Sequence, residues 1–143
     1  MVQASSNTRH MSNFKDLVVW QKAHKLAIGS IRIATRIRQS HLVSLKGQLV
    51  RAAISVPTNI VEGSGQESDK DFCRFLRYSV NSANELEYHL ILSRDIGLIT
   101  TRDFDDINPR VEEVQKMLRG LIRSLRKQSP HKHPDLRGNP PDP

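Results

Sequence analysis

The segment RAAISVPTNIVEGSG, residues 51–65, sets Pro57 in the middle of an apolar run and follows it with Asn59, Glu62 and two glycines. A proline inside a helix deletes one backbone hydrogen bond and crowds the preceding turn, at a cost of about 3 kcal/mol. The segment is therefore either the end of a helix or a helix that bends. On a helical wheel Leu49, Ala53, Val56 and Ile60 share one side, and Arg51, Ser55, Thr58, Asn59 and Glu62 form a polar stripe on the other. That segregation favours a proline-kinked helix bent to fit its neighbours, with Thr58 or Asn59 bonding a freed carbonyl. The competing reading has Arg51, Ser55, Asn59 and Glu62 lining a polar groove or subunit contact, with Glu87 as a partner.

Working outward, four helical segments separate at about residues 15–39, 42–62, 69–96 and 102–127. Gly63 and Gly65 suit a helix C-terminus. Ser68 with Asp71 resembles a capping box that opens the third helix, and Gly97 followed by Thr100 and Asp103 repeats the signals for the fourth. In the third segment Phe72, Phe75, Leu76, Ser79, Ala83, Leu86 and Leu90 share a face. In the fourth, Phe104, Ile107, Val111, Val114, Leu118, Leu121 and Leu125 alternate in steps of three and four, the seam of an antiparallel bundle. Pro109 interrupts that seam, so the helix starts either near residue 102 or, with Asn108 as cap, near 109. Residues 1–13 and 128–143 read as a disordered extension and a disordered proline-rich tail, whose His131 and His133 are an unlikely metal pair. The expected fold is all-α, an up-down-up-down four-helix bundle over residues 14–127.

The first helix departs from the one-sided pattern. Leu17, Trp20, Ala27, Ile31 and Ala34 make one apolar stripe; Val19, Leu26, Ile33 and Ile37 make a second beside it. A helix apolar over most of its circumference needs burial on more than one side. The expectation is a homo-oligomer that uses Val19, Leu26, Ile33 and Ile37 as its interface.

The chain carries +7. Residues 1–50 hold eight Lys or Arg against one acid, whereas residues 51–100 hold five against seven. Such asymmetry points to an anionic partner, most often nucleic acid. The candidate phosphate contacts are Lys22, Lys25, Arg32 and Arg36 on the first helix, with Arg119, Arg123 and Arg126 near the end of the fourth. No aromatic residues interleave with them, which argues against stacking on single strands. The bland alternative is a solvated basic face that keeps an oligomeric protein scaffold soluble.

Catalytic motifs are absent. GSG at residues 63–65 lacks the Lys-Ser/Thr of a phosphate loop and follows a helix. Cys73 sits in the third helix without a histidine relay and reads as a buried thiol. Glu85 is followed at di-metal spacing by Tyr88 instead of His, and Glu85 with His89 reads as a surface pair. No enzyme, metal or cofactor is expected. A single cysteine and no membrane span or secretion signal suit a cytoplasmic protein.

FKDLVVWQKAHKLA at 14–27, the opening segment, and SDKDFCRFLRYSVNSANELEYHLILSRDIGLIT at 68–100 together resemble the four helix bundle protein family. These are also called 23S ribosomal-RNA intervening-sequence proteins, and the resemblance spans residues 14–127. It implies an up-down-up-down bundle assembling into rings, commonly homopentamers, without established enzymatic activity. A more distant similarity is to the accessory protein of diversity-generating retroelements, which implies binding of nucleic acid and of a reverse transcriptase. Pro109 departs from the family pattern, where an acidic helix usually continues.

Overall fold

The computed structural model describes residues 13–128. They form four α-helices: α1 Val18–Thr35, α2 Val43–Ser64, α3 Asp69–Asp95 and α4 Thr101–Gln128, with short 3-10 turns at Phe14–Asp16 and Ser40–Leu42. No strand occurs among the described residues. Each helix packs on its sequence neighbour and α1 closes on α4, a four-helix bundle. Of the proposed extension and tail, Asn13 caps the first 3-10 turn and Gln128 is the last residue of α4; the rest, with His131 and His133, lies outside the described residues.

Local chemistry fixes the helix ends. The Asp71 amide donates to Ser68 Oγ at 3.1 Å, and the Ser68 hydroxyl donates to Asp71 Oδ2 at 2.9 Å, so α3 opens on a side-chain cap. Gly97 adopts φ +79°, a left-handed turn that suits glycine. The Asp103 amide donates to Thr100 Oγ1 at 3.0 Å, and α4 runs from Thr101 straight through Pro109. The fourth helix thus starts at the earlier of the two candidate positions. Asn108, instead of capping a new helix, donates from Nδ2 to Glu112 Oε1 at 3.1 Å.

The α2 helix likewise continues through Pro57 to Ser64. Side chains occupy carbonyls around the proline: Thr58 Oγ1 donates to Ile54 O at 2.8 Å, Asn59 Nδ2 to Ser55 O at 2.9 Å, and Ser79 Oγ of α3 to Val56 O at 2.7 Å. Ser55 and Ser82 hydroxyls meet at 2.8 Å. The opposite numbering of these pairs makes α2 and α3 antiparallel. At their common end α2 terminates as expected, with Gly65 as its C-cap and Gly63 in its last turn. A Cβ there would lie 2.8 Å from Phe72 Cδ2 and 2.9 Å from Phe75 Cβ, so glycine is what lets α3 approach.

The core holds Leu26, Leu49, Ile60, Leu76, Leu86, Leu90, Ile107 and Leu118, each under 2% exposed. The α4 seam supplies Phe104, Ile107, Val111, Val114 and Leu118, while Leu121 and Leu125 are only partly covered.

One expectation is corrected here. Val19, Leu26, Ile33 and Ile37 are buried inside the chain, at 5%, 1%, 5% and 4% exposure, so they present no surface to a second copy. Of the other stripe Ala27 and Ala34 are buried too, while Leu17, Trp20 and Ile31 are only partly covered. Trp20, Ala27, Ile28 and Ile31 of α1, with Ile54, Pro57, Thr58 and Val61 of α2, line an apolar groove of about 320 Å³, and Ile54 is 46% exposed. Trp20 stacks on His24 within it, ring centroids 4.9 Å apart.

Two substitutions check this packing. Leu26→Glu places a charge among the core leucines and is expected to unfold the chain, seen as loss of helical circular dichroism, not as a change of mass in a folded protein. Gly63→Ala is expected to cost about 1–3 kcal/mol in urea denaturation; an unchanged midpoint would mean that α2 and α3 do not meet this closely.

Candidate nucleic-acid interface

The seven cations singled out from the sequence fall on two different sides. Those of α1 run along its seam with α4, opposite the acidic first half of that helix. Lys22 Nζ is 3.1 Å from Glu113 Oε1 and Arg36 is 3.1 Å from Asp103 Oδ1. Lys25 joins Lys22, Arg110 and Glu113 around a cleft of about 240 Å³, and Arg110 is itself 3.4 Å from Asp106. Two of the first third's eight cations, Lys22 and Arg36, are therefore answered within the chain. Arg32 is exposed on this side, without an ion pair among the described residues.

The second half of α4 is different. Lys116, Arg119, Arg123, Arg126 and Lys127 follow one another with no Asp or Glu from residue 114 to residue 128. All five are exposed, and none has an ion-pair partner among the described residues. Cations here also complement the C-terminal end of the helix dipole.

Sequence reasoning missed the residues beside them. Cys73 Sγ lies 3.9 Å from Ile122 O, Gln115 Nε2 donates to Asn84 Oδ1 at 3.1 Å, and the Arg94 guanidinium lies 4.1 Å over the Phe104 ring. These contacts run α3 and α4 antiparallel, with the start of α3 beside the end of α4. Arg77 falls four residues after Cys73 and seven before Asn84, hence on the stripe that faces α4. Lys70 precedes it by seven residues on the same flank, and Arg74 by three, further round the helix on the side of Phe75. All three are exposed; Arg74 is 3.4 Å from Asp71 and lies over Phe75, whereas Lys70 and Arg77 have no ion pair among the described residues. The α3–α4 face at this end of the bundle is thus basic on both helices.

A family model described as 23S rRNA-intervening sequence protein matches residues 15–120. The chain belongs to the 23S rRNA-intervening sequence protein family. No curated protein matches it. Among solved structures it is similar to a protein of unknown function from the S23 ribosomal protein family of Bacteroides thetaiotaomicron, at 27% identity and a TM-score of 0.70. That similarity covers 74% of this chain and 99% of the other.

In this family member the polar stripe of α2 is a packing device on its α3 side, where Asn59 Nδ2 also reaches Ser55 Oγ at 3.0 Å. Arg51 and Glu62 stay exposed, and Arg51 forms no ion pair with Glu87 among the described residues. The Glu85–His89 contact is present at 3.3 Å, yet the histidine is 6% exposed, so only its partner is on the surface. Cys73 is buried. Among the described residues no three His, Cys, Asp or Glu side chains gather as a metal site, and no helix is long and apolar enough to cross a membrane.

The α1–α4 ion pairs give a direct check. A double-mutant cycle on Arg36 and Asp103 is expected to return a coupling of about 0–1 kcal/mol that shrinks with added salt. No coupling at low salt would mean that the α1 cations are free for an external partner.

Proposed function

We propose that this chain is a non-enzymatic, oligomeric protein that binds the phosphate backbone of nucleic acid. The observation that carries the reading is the cation run of α4, Lys116, Arg119, Arg123, Arg126 and Lys127, exposed and without an ion-pair partner among the described residues. Clustered Lys and Arg neutralise phosphates and release counterions, which gives salt-dependent and largely sequence-independent affinity. Lys22 and Arg36, already held by carboxylates, contribute less than Arg119, Arg123 and Arg126. The name of the matched family model points to ribosomal RNA genes as the setting, and a cytoplasmic site of action accords with it.

The assembly is a homo-oligomeric ring, with five subunits by family resemblance, that repeats the basic face and multiplies its phosphate contacts. Its subunit contact is the apolar α1–α2 groove around Trp20, Ile28, Ile31 and Ile54, and a bend of α2 at Pro57 shapes that face. The same groove supports a second reading, an oligomeric scaffold for another protein such as a reverse transcriptase, with the charge serving solubility.

Filter binding of structured RNA and duplex DNA across a salt series separates the two. The logarithm of affinity is expected to fall linearly with the logarithm of salt; absent binding at low salt, or a flat response, leaves the scaffold. Light scattering is expected to give a multiple of the 16.3 kDa chain mass, reduced to one chain by Ile28→Glu with Ile54→Glu. A parent protein of single-chain mass contradicts the assembly.

A further inference from the structure

The α3–α4 contacts fix more than proximity. In the register set by Cys73–Ile122, Asn84–Gln115 and Arg94–Phe104, Arg77 is level with Arg119, Arg74 with Arg123, and Lys70 with Arg126. Each set steps by three and four residues, so the cations form three rungs of a ladder, one rail on each helix. Successive rungs are about 5 Å apart at 1.5 Å rise per residue, and the rails follow helix axes that pack at about 8–10 Å.

Like charges brought level across two packed helices repel; those of α4 complement its dipole, but Lys70 and Arg74 stand at the positive end of α3, where the dipole opposes them. Among the described residues the only carboxylate touching the six is Asp71, on Arg74. Local rules broken without a structural return mark places where an outside ligand supplies the missing partner.

Resting on the backbone-binding reading above, we propose that this ladder takes a nucleic-acid duplex, each rail following the phosphates of one strand across a groove. A single strand presents one line of phosphates and leaves one rail unanswered. A duplex presents two, across grooves of about 6 and 12 Å, a span that long Arg and Lys side chains on adjacent helices can straddle. Single-strand binders add aromatic platforms for unstacked bases. Of the two aromatics beside the α3 rail, Phe75 turns to Gly63 of α2, and Tyr78, 45% exposed, has its ring packed edge to face on Phe75 at 5.7 Å. The shared ligand chemistry is a paired set of phosphate lines, available from double-stranded DNA or from an RNA stem.

Fluorescence anisotropy with the full-length protein, using a short duplex DNA, a duplex RNA and the matching single strand across a potassium chloride series, tests this. At least one duplex is expected to bind about tenfold or more tightly than the single strand at equal salt. Replacing the α4 rail (Arg119→Gln, Arg123→Gln, Arg126→Gln) or the α3 rail (Lys70→Gln, Arg74→Gln, Arg77→Gln) is expected to flatten the salt slope by about one per cation removed. Arg102→Gln, at the far end of α4 from the ladder, leaves it unchanged. Both rail variants are expected to keep the parent's helical circular dichroism and a cooperative melt, which separates lost binding from lost folding. Equal or tighter binding of the single strand overturns the duplex assignment while leaving backbone binding intact, and so does a slope sensitive to only one rail. No salt-dependent binding to any of the three overturns both.

Discussion

The bundle depends on how closely α2 and α3 approach. Gly63 removes the one Cβ that Phe72 and Phe75 cannot accommodate. Further along, small polar residues replace bulk: Ser79 bonds Val56 O, and Ser55, Ser82 and Asn59 share hydrogen bonds across the seam. Pro57 takes the helix donor from Ala53 O, and the side-chain donors of both helices go to the next three carbonyls, Ile54, Ser55 and Val56. This junction places the start of α3 and Cys73, and through Cys73 the register of α4.

Register then decides the electrostatics. The acidic first half of α4 lies against the α1 cations, and Lys22–Glu113 and Arg36–Asp103 neutralise that seam. Its basic second half lies against the start of α3, where Lys70, Arg74 and Arg77 add to the positive charge. One helix thus serves two neighbours with opposite signs. The unneutralised positive face at the α3–α4 end is built from residues 70–77 and 116–127, not from the first third where the sequence concentrates its excess charge.

Much of this was legible beforehand. Caps at Ser68 and Thr100, the three-four seam of α4 and the apolar face of α3 are local signals, and local signals survive folding. What failed needed tertiary information. Both stripes of α1 are apolar, and nothing in periodicity says which one turns inward; Leu26 and Ile33 went to the core, and Trp20 and Ile31 to the groove. Pro109 resembled a helix start, but Thr100 already supplied the cap. Lys70, Arg74 and Arg77 were overlooked because the acids of residues 51–100 outnumber the bases there. Their four-three spacing was visible, yet its meaning required the antiparallel register with Arg119, Arg123 and Arg126. The pairing of α1 cations with α4 carboxylates was hidden for the same reason.

The location of the anionic partner is the central claim, and nitrogen-detected NMR of backbone amides and Arg side chains during titration with a short duplex reads it residue by residue. Perturbations are expected to concentrate at residues 70–77 and 116–127. Perturbations centred instead on Lys22, Lys25, Arg32 and Arg36, or on the Trp20–Ile54 groove, would contradict the account.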